Sequence, residues 1–148
     1  MMAIARATPP PPKDHFGGNL FAPRALAGAA EAEAASRDAA LLKRREAGEP
    51  LADAARAELE VWSDIADWAA GRPRAFLSPW PAMTAAAARA LAHLDRLAAA
   101  RPGDTALRDR RDAVAILHDR LTLAAAFCDL RGARWQTLLA AAPIGAPS

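Results

Sequence analysis

Apolar residues recur along this chain at spacings of three and four, and the clearest series lies between Asp104 and Arg131. Leu107, Val114, Leu117, Leu121, Ala124 and Cys128 fall on one side of a 3.6-residue helix. A second stripe, Ile116, Leu123, Phe127 and Leu130, lies further round the cylinder. The pattern predicts a long central helix, about 104–131, buried on two sides toward its C-terminal half. Its first turns hold Arg108, Asp109, Arg110, Arg111 and Asp112, with Arg108 and Asp112 as i,i+4 neighbours, so it should start at the surface and run into the core. Asp104, after Pro102-Gly103, is suited to cap the free amides of the first turn. Gly132 can end the helix, which leaves 133–142 for a short fifth helix stopped by Pro143.

The preceding segments have the same period. Met83, Ala87, Ala90, Leu94 and Leu97 predict a helix over 83–101, and the short Arg101-Pro102-Gly103 turn makes it antiparallel to the central one. In that hairpin His93 lies opposite Arg111, and the four alanines Ala85 to Ala88 allow close approach. Leu51 to Ala70 carries the stripe Ala55, Leu59, Trp62, Ala66 and Ala69, with Val61, Ile65 and Trp68 beside it. Its acids Asp53, Glu58, Glu60, Asp64 and Asp67 read as a solvated face, and Pro50 suits its first turn. Residues 71–82, with Pro73, Pro79 and Pro81, form a loop whose Phe76 and Trp80 should plug the bundle end. The run from 23 to 47 has high helix propensity but few large apolar residues, only Leu26, Leu41 and Leu42, and ends in Lys43-Arg44-Arg45 before Gly48. Such a helix has little reason to stay folded unless something covers its alanine face.

The pattern fails before residue 23. Pro9 to Pro12 favour extended chain, Gly17-Gly18 is a break, and Phe16, Leu20 and Phe21 are large apolar residues with no helical spacing. Two readings follow: a strap that folds back on the domain, or a docking peptide that inserts aromatics into a partner's groove. The predicted architecture is therefore all-α, a bundle of four to five helices over 23–142, with an irregular Pro/Gly-rich arm at 1–22 and a tail at 143–148.

Composition changes this picture little. The 148 residues are enough for one domain with a real core. The 43 alanines, and only two lysines, Lys13 and Lys43, among 19 basic residues, reflect a coding bias rather than a function. A net charge of +2 does not by itself indicate nucleic acid. Charge is uneven, however: Glu46 to Trp68 is acidic and the chain beyond Gly71 is rich in arginine, which suits helices packed on one another. A single cysteine, Cys128, excludes an internal disulfide and reads as a small core residue. With no signal-like segment and no long apolar run, the expected location is the cytoplasm, away from membranes.

Chemistry is sparse. The phosphate-loop, dinucleotide, zinc-protease, C-x-x-C and G-x-S-x-G patterns are all missing, and there is no tyrosine. His93 and His118 lie too far apart on the predicted hairpin to share a metal. Glu60, Asp64 and Asp67 share a face without a nearby histidine. The chain thus reads as non-enzymatic, with no catalytic residues, cofactor or metal. The expectation is an interaction or assembly protein that docks another protein, or a second copy, through Phe16, Leu20 and Phe21 and its helix faces. The alternative is a nucleic-acid-associated regulator whose Arg101, Arg108, Arg110 and Arg111, near the hairpin turn, contact phosphates. Interleaved Asp104, Asp109 and Asp112 would weaken that field.

Overall fold

The computed structural model describes residues 23–72 and 77–141, with side chains described over 24–72 and 77–129. Four helices follow one another: α1 (Pro23–Glu46), α2 (Asp53–Ala69), α3 (Trp80–Ala100) and α4 (Thr105–Ala141). Each packs on the next, α4 closes on α1, and the diagonal pairs lie further apart across the core. The result is an all-α four-helix bundle with antiparallel neighbours joined by short connections.

The connections explain themselves locally. α1 ends in a Schellman motif: Glu49 donates to the Arg44 carbonyl, Gly48 donates to that of Arg45, and Gly48 takes φ +72°. α2 ends the same way, with Arg72 donating to Asp67, Gly71 to Trp68, and Gly71 at φ +69°. Both helices therefore stop where glycine accepts a left-handed conformation. Asp104 caps α4 as its sequence suggests, its Oδ1 accepting from the Leu107 amide at 3.0 Å. Pro50 lies outside α2, which begins only after Ala52. α3 begins at Trp80, earlier than its apolar stripe suggests, with Pro81 in its first turn, where no intrahelical amide is needed.

The core is built from Leu26, Ala29 and Ala30 of α1, Trp62, Ile65 and Ala66 of α2, Met83, Ala86, Ala87, Ala90 and Leu94 of α3, and Leu107, Ala113, Val114, Leu117 and Leu121 of α4. Trp80 packs edge-on against Trp68 (centroids 5.9 Å apart, planes at 83°) at one end, in keeping with a plug; Phe76 lies outside the described residues. The alanines in the first turns of α1, Ala25, Ala27, Ala29 and Ala30, are buried and serve close packing, whereas Ala35, Ala39 and Ala40 further along the helix are exposed.

Three expectations are corrected. There is no break at Gly132: α4 continues through it as one 37-residue helix, and the expected fifth helix is its last turns. The burial of α4 runs opposite to expectation. Leu107 to Leu121 form the core, whereas Leu123 is 71% and Phe127 60% exposed, and Cys128 is exposed as well; Leu130 lies beyond the described side chains. Finally, Asp64 is only 7% exposed rather than part of a solvated face, and its Oδ2 accepts from the Ser78 amide at 2.8 Å and hydroxyl at 2.5 Å. That contact ties the approach to α3 onto α2.

The reason for the second correction is length. Glu33 of α1 meets Arg110 of α4, and seven residues earlier on α1 Leu26 lies beside Leu117, seven residues later on α4. Pro23, where α1 begins, is thus level with about Arg120. On the other side Asp95 of α3 meets Arg111, which places the start of α3 level with about residue 126. Past that point α4 runs on for about 22 Å with neither helix beside it. Cys128 continues the seven-residue series of Leu107, Val114 and Leu121, yet it is exposed because its neighbours have ended.

Candidate functional site

Two places stand out: a carboxylate–guanidinium cleft on the side of the bundle and the projecting end of α4. The cleft arises because Glu33 occupies the buried stripe of α1, in series with Leu26 and Ala30, with Arg37 one turn further on. Its side chain is 2% exposed. Arg110 donates from Nε at 2.6 Å and from Nη2 at 3.0 Å, a two-point grip. Arg37 donates from Nη1 to the same carboxylate at 2.7 Å and to the Glu33 carbonyl at 2.9 Å. The Arg37 guanidinium also lies over the Trp62 ring, 4.6 Å from its centroid. Burial acts to raise the Glu33 pKa, but the hydrogen bonds and charges of Arg110 and Arg37 outweigh it and hold the carboxyl below its ordinary value. The hydrogen bond to Glu33 in turn raises the Arg110 pKa.

Glu58, Arg89 and His93 complete the walls of this cleft, whose volume is about 150 Å³. Arg89 donates to Glu58 at 2.6 Å, so each guanidinium facing the cleft already meets a carboxylate. This set of two carboxylates and three guanidiniums clasps α1 to α4 and α2 to α3. Three hydroxyls are engaged: Ser63 donates to the Leu59 carbonyl at 3.0 Å, Thr122 to that of His118 at 2.8 Å, and Ser78 to Asp64, whereas the buried Thr84 hydroxyl has no hydrogen-bond partner among the described residues. Among the described residues no group of three His, Cys, Asp or Glu side chains is arranged to hold a metal ion. None of the described helices is long and apolar enough to cross a membrane.

The four arginines near the hairpin turn do not form one free surface. Arg110 turns inward to Glu33. Arg111 bonds Asp95 at 2.6 Å and Asp112 at 3.0 Å. Arg108 donates to the Pro102 carbonyl at 2.7 Å, not to Asp112, and Arg101 is exposed in the turn. Phe16, Leu20 and Phe21 lie outside the described residues. His93 is exposed at the cleft, and His118 is half-buried with Nδ1 3.8 Å from Asp119, so the imidazoles stay apart.

Sequence reasoning missed Glu33, Arg37, Glu58 and Arg89. The signal was present: a glutamate on the only apolar stripe of α1, with an arginine four residues on, marks a buried charge awaiting partners. Which helix supplies Arg110 is not a local property. No protein-family model, curated protein or solved structure matches this chain.

Proposed function

We propose that the protein is a non-enzymatic interaction or assembly module that docks another protein through the projecting end of α4 and the N-terminal arm bearing Phe16, Leu20 and Phe21. The observation that carries this reading is the exposed apolar surface of α4 beyond Leu121: Leu123, Phe127 and Cys128, on a helix that outlasts its neighbours. Large apolar side chains exposed along a helix suit a partner's groove. The engagement of the cleft's guanidiniums with carboxylates, and of the Ser63, Ser78 and Thr122 hydroxyls, supports this reading over a hydrolytic one. The pairing of Arg110 and Arg111 with carboxylates supports it over phosphate binding.

The test compares wild type with Leu123→Asp/Phe127→Asp, both at exposed positions, with helical circular dichroism to check that the variant folds. Solution molar mass by light scattering and co-purification of tagged protein are measured for both. Association present in wild type and lost in the variant is expected. Equal association, or none under any condition, overturns the proposal. If Phe16→Ser/Leu20→Ser/Phe21→Ser leaves every association unchanged, the arm has no part in docking.

A further inference from the structure

We infer that the cleft walled by Glu33, Arg37, Glu58, Arg89, His93 and Arg110 is a binding site for one small oxyanion, of the size of inorganic phosphate or a short carboxylate. Charge is the first observation. Two carboxylates face three guanidiniums there, so the ion pairs leave one positive charge uncancelled. Hydrogen bonding is the second. A guanidinium carries five N–H donors in a planar fork. Arg110 uses Nε and Nη2 on Glu33, Arg37 uses only Nη1, and Arg89 uses only Nη2 on Glu58. Arg110 Nη1, Nε and Nη2 of Arg37, and Nε and Nη1 of Arg89 have no acceptor among the described residues, and the His93 imidazole has no partner there either. The arginines offer more donors than the carboxylates take up, and an anionic acceptor is what such a set lacks.

The fold assembles this set from all four helices. Arg89 and His93 sit one turn apart on α3, as Glu33 and Arg37 do on α1, while Glu58 and Arg110 come from α2 and α4. Glu33 and Leu94 are buried at the inner end, and the exposed Arg89 and His93 open the cleft to solvent. Partial burial lowers the local dielectric, so the uncancelled charge attracts an anion more strongly here than on an open surface. Size then narrows the ligand. A volume of about 150 Å³, against ~30 Å³ for a water, holds about five oxygen-sized atoms. That suits phosphate or acetate and is too small for a nucleotide. The site is therefore distinct from the phosphate contact weighed for the hairpin turn: Arg101, Arg108 and Arg111 do not line it. It is also independent of docking through α4.

The experiment titrates the full chain with inorganic phosphate, and separately with acetate, at an ionic strength held constant with chloride. Arginine Nε–H signals are followed by NMR. Saturable shifts of Arg37, Arg89 and Arg110, with Arg101 and Arg108 unmoved, are expected with at least one of the two anions, and the one that saturates tells a phosphoryl ligand from a carboxylate. Shifts that move every arginine alike report counterion screening and overturn the inference, as does the absence of a saturable shift with both anions. Two variants of one ion pair supply a second readout. Arg89→Gln removes a donor and should weaken binding about tenfold. Glu58→Gln removes a competing carboxylate, frees the Arg89 fork and should tighten binding a few-fold. Both break the same α2–α3 salt bridge, so a purely structural role would move the affinity in one direction in both, which overturns the inference. Helical circular dichroism checks that each variant folds; if either does not, the wild-type titration still decides.

Discussion

Replacing Glu33 with glutamine removes the charge at the centre of the α1–α4 clasp while keeping the side chain's shape. In the folded protein that carboxylate accepts three charge-assisted hydrogen bonds, two from Arg110 and one from Arg37. Bonds of this class each contribute about 1.5–3 kcal/mol, and breaking a fully buried ion pair costs about 3–5 kcal/mol. The arginine side chains are 38% and 23% exposed, so water can solvate them once the charge is gone. Glutamine also keeps a carbonyl acceptor. Both facts place the cost at the low end, about 2 kcal/mol. For a chain of this size that lowers the thermal midpoint by about 4–8 °C.

Acid adds a signature that packing loss cannot imitate. The folded-state pKa of Glu33 lies below its ordinary value. Its contribution is therefore complete above the unfolded-state pKa of about 4.3 and is lost as pH falls through the folded value. Thermal melts of wild type and Glu33→Gln from neutral pH downward should show a constant gap that closes below about pH 4. A variant melting within about 1 °C of wild type at neutral pH, or a gap that persists undiminished in acid, would refute the reasoning.

Other substitutions separate the bundle from its projecting end. Leu121→Ala opens a cavity at a fully buried position and should cost about 2–5 kcal/mol in urea unfolding. Leu123→Ala, two residues away but exposed, should change stability by no more than about 0.5 kcal/mol. Asp64→Ala strands the Ser78 amide and should cost about 1–3 kcal/mol, more than Ser78→Ala, which keeps the backbone bond; equal losses would contradict that account. Gly48→Ala and Gly71→Ala should each cost about 1–2 kcal/mol through positive φ alone, since nothing lies within 4 Å of an added Cβ. Gly103→Ala, equally open but outside that backbone region, is the control and should melt at close to the wild-type temperature.

The helices were legible because periodicity and punctuation are local. The stripe of Met83, Ala87, Ala90 and Leu94 and the series from Leu107 to Leu121 mark buried faces by spacing alone. Asp104, Gly48 and the Pro102-Gly103 turn act on backbone groups within a few residues of themselves, so their capping and turning roles can be read without knowing the fold. Tertiary structure decided what lies beside each face. Cys128 has the spacing of a core residue and is exposed because α1 and α3 end before reaching it, and no local pattern reports where another helix stops. Glu33 and Asp64 look like surface acids, yet packing buries them where Arg110, 77 residues away, and Ser78, 14 residues away, supply the compensating donors. Gly132 carries a stop signal that α4 overrides, since a glycine weakens a helix by about 1 kcal/mol but does not forbid it. Sequence fixes which faces are apolar and where the chain can turn. Burial and charge pairing depend on helix lengths and register, which are properties of the whole assembly.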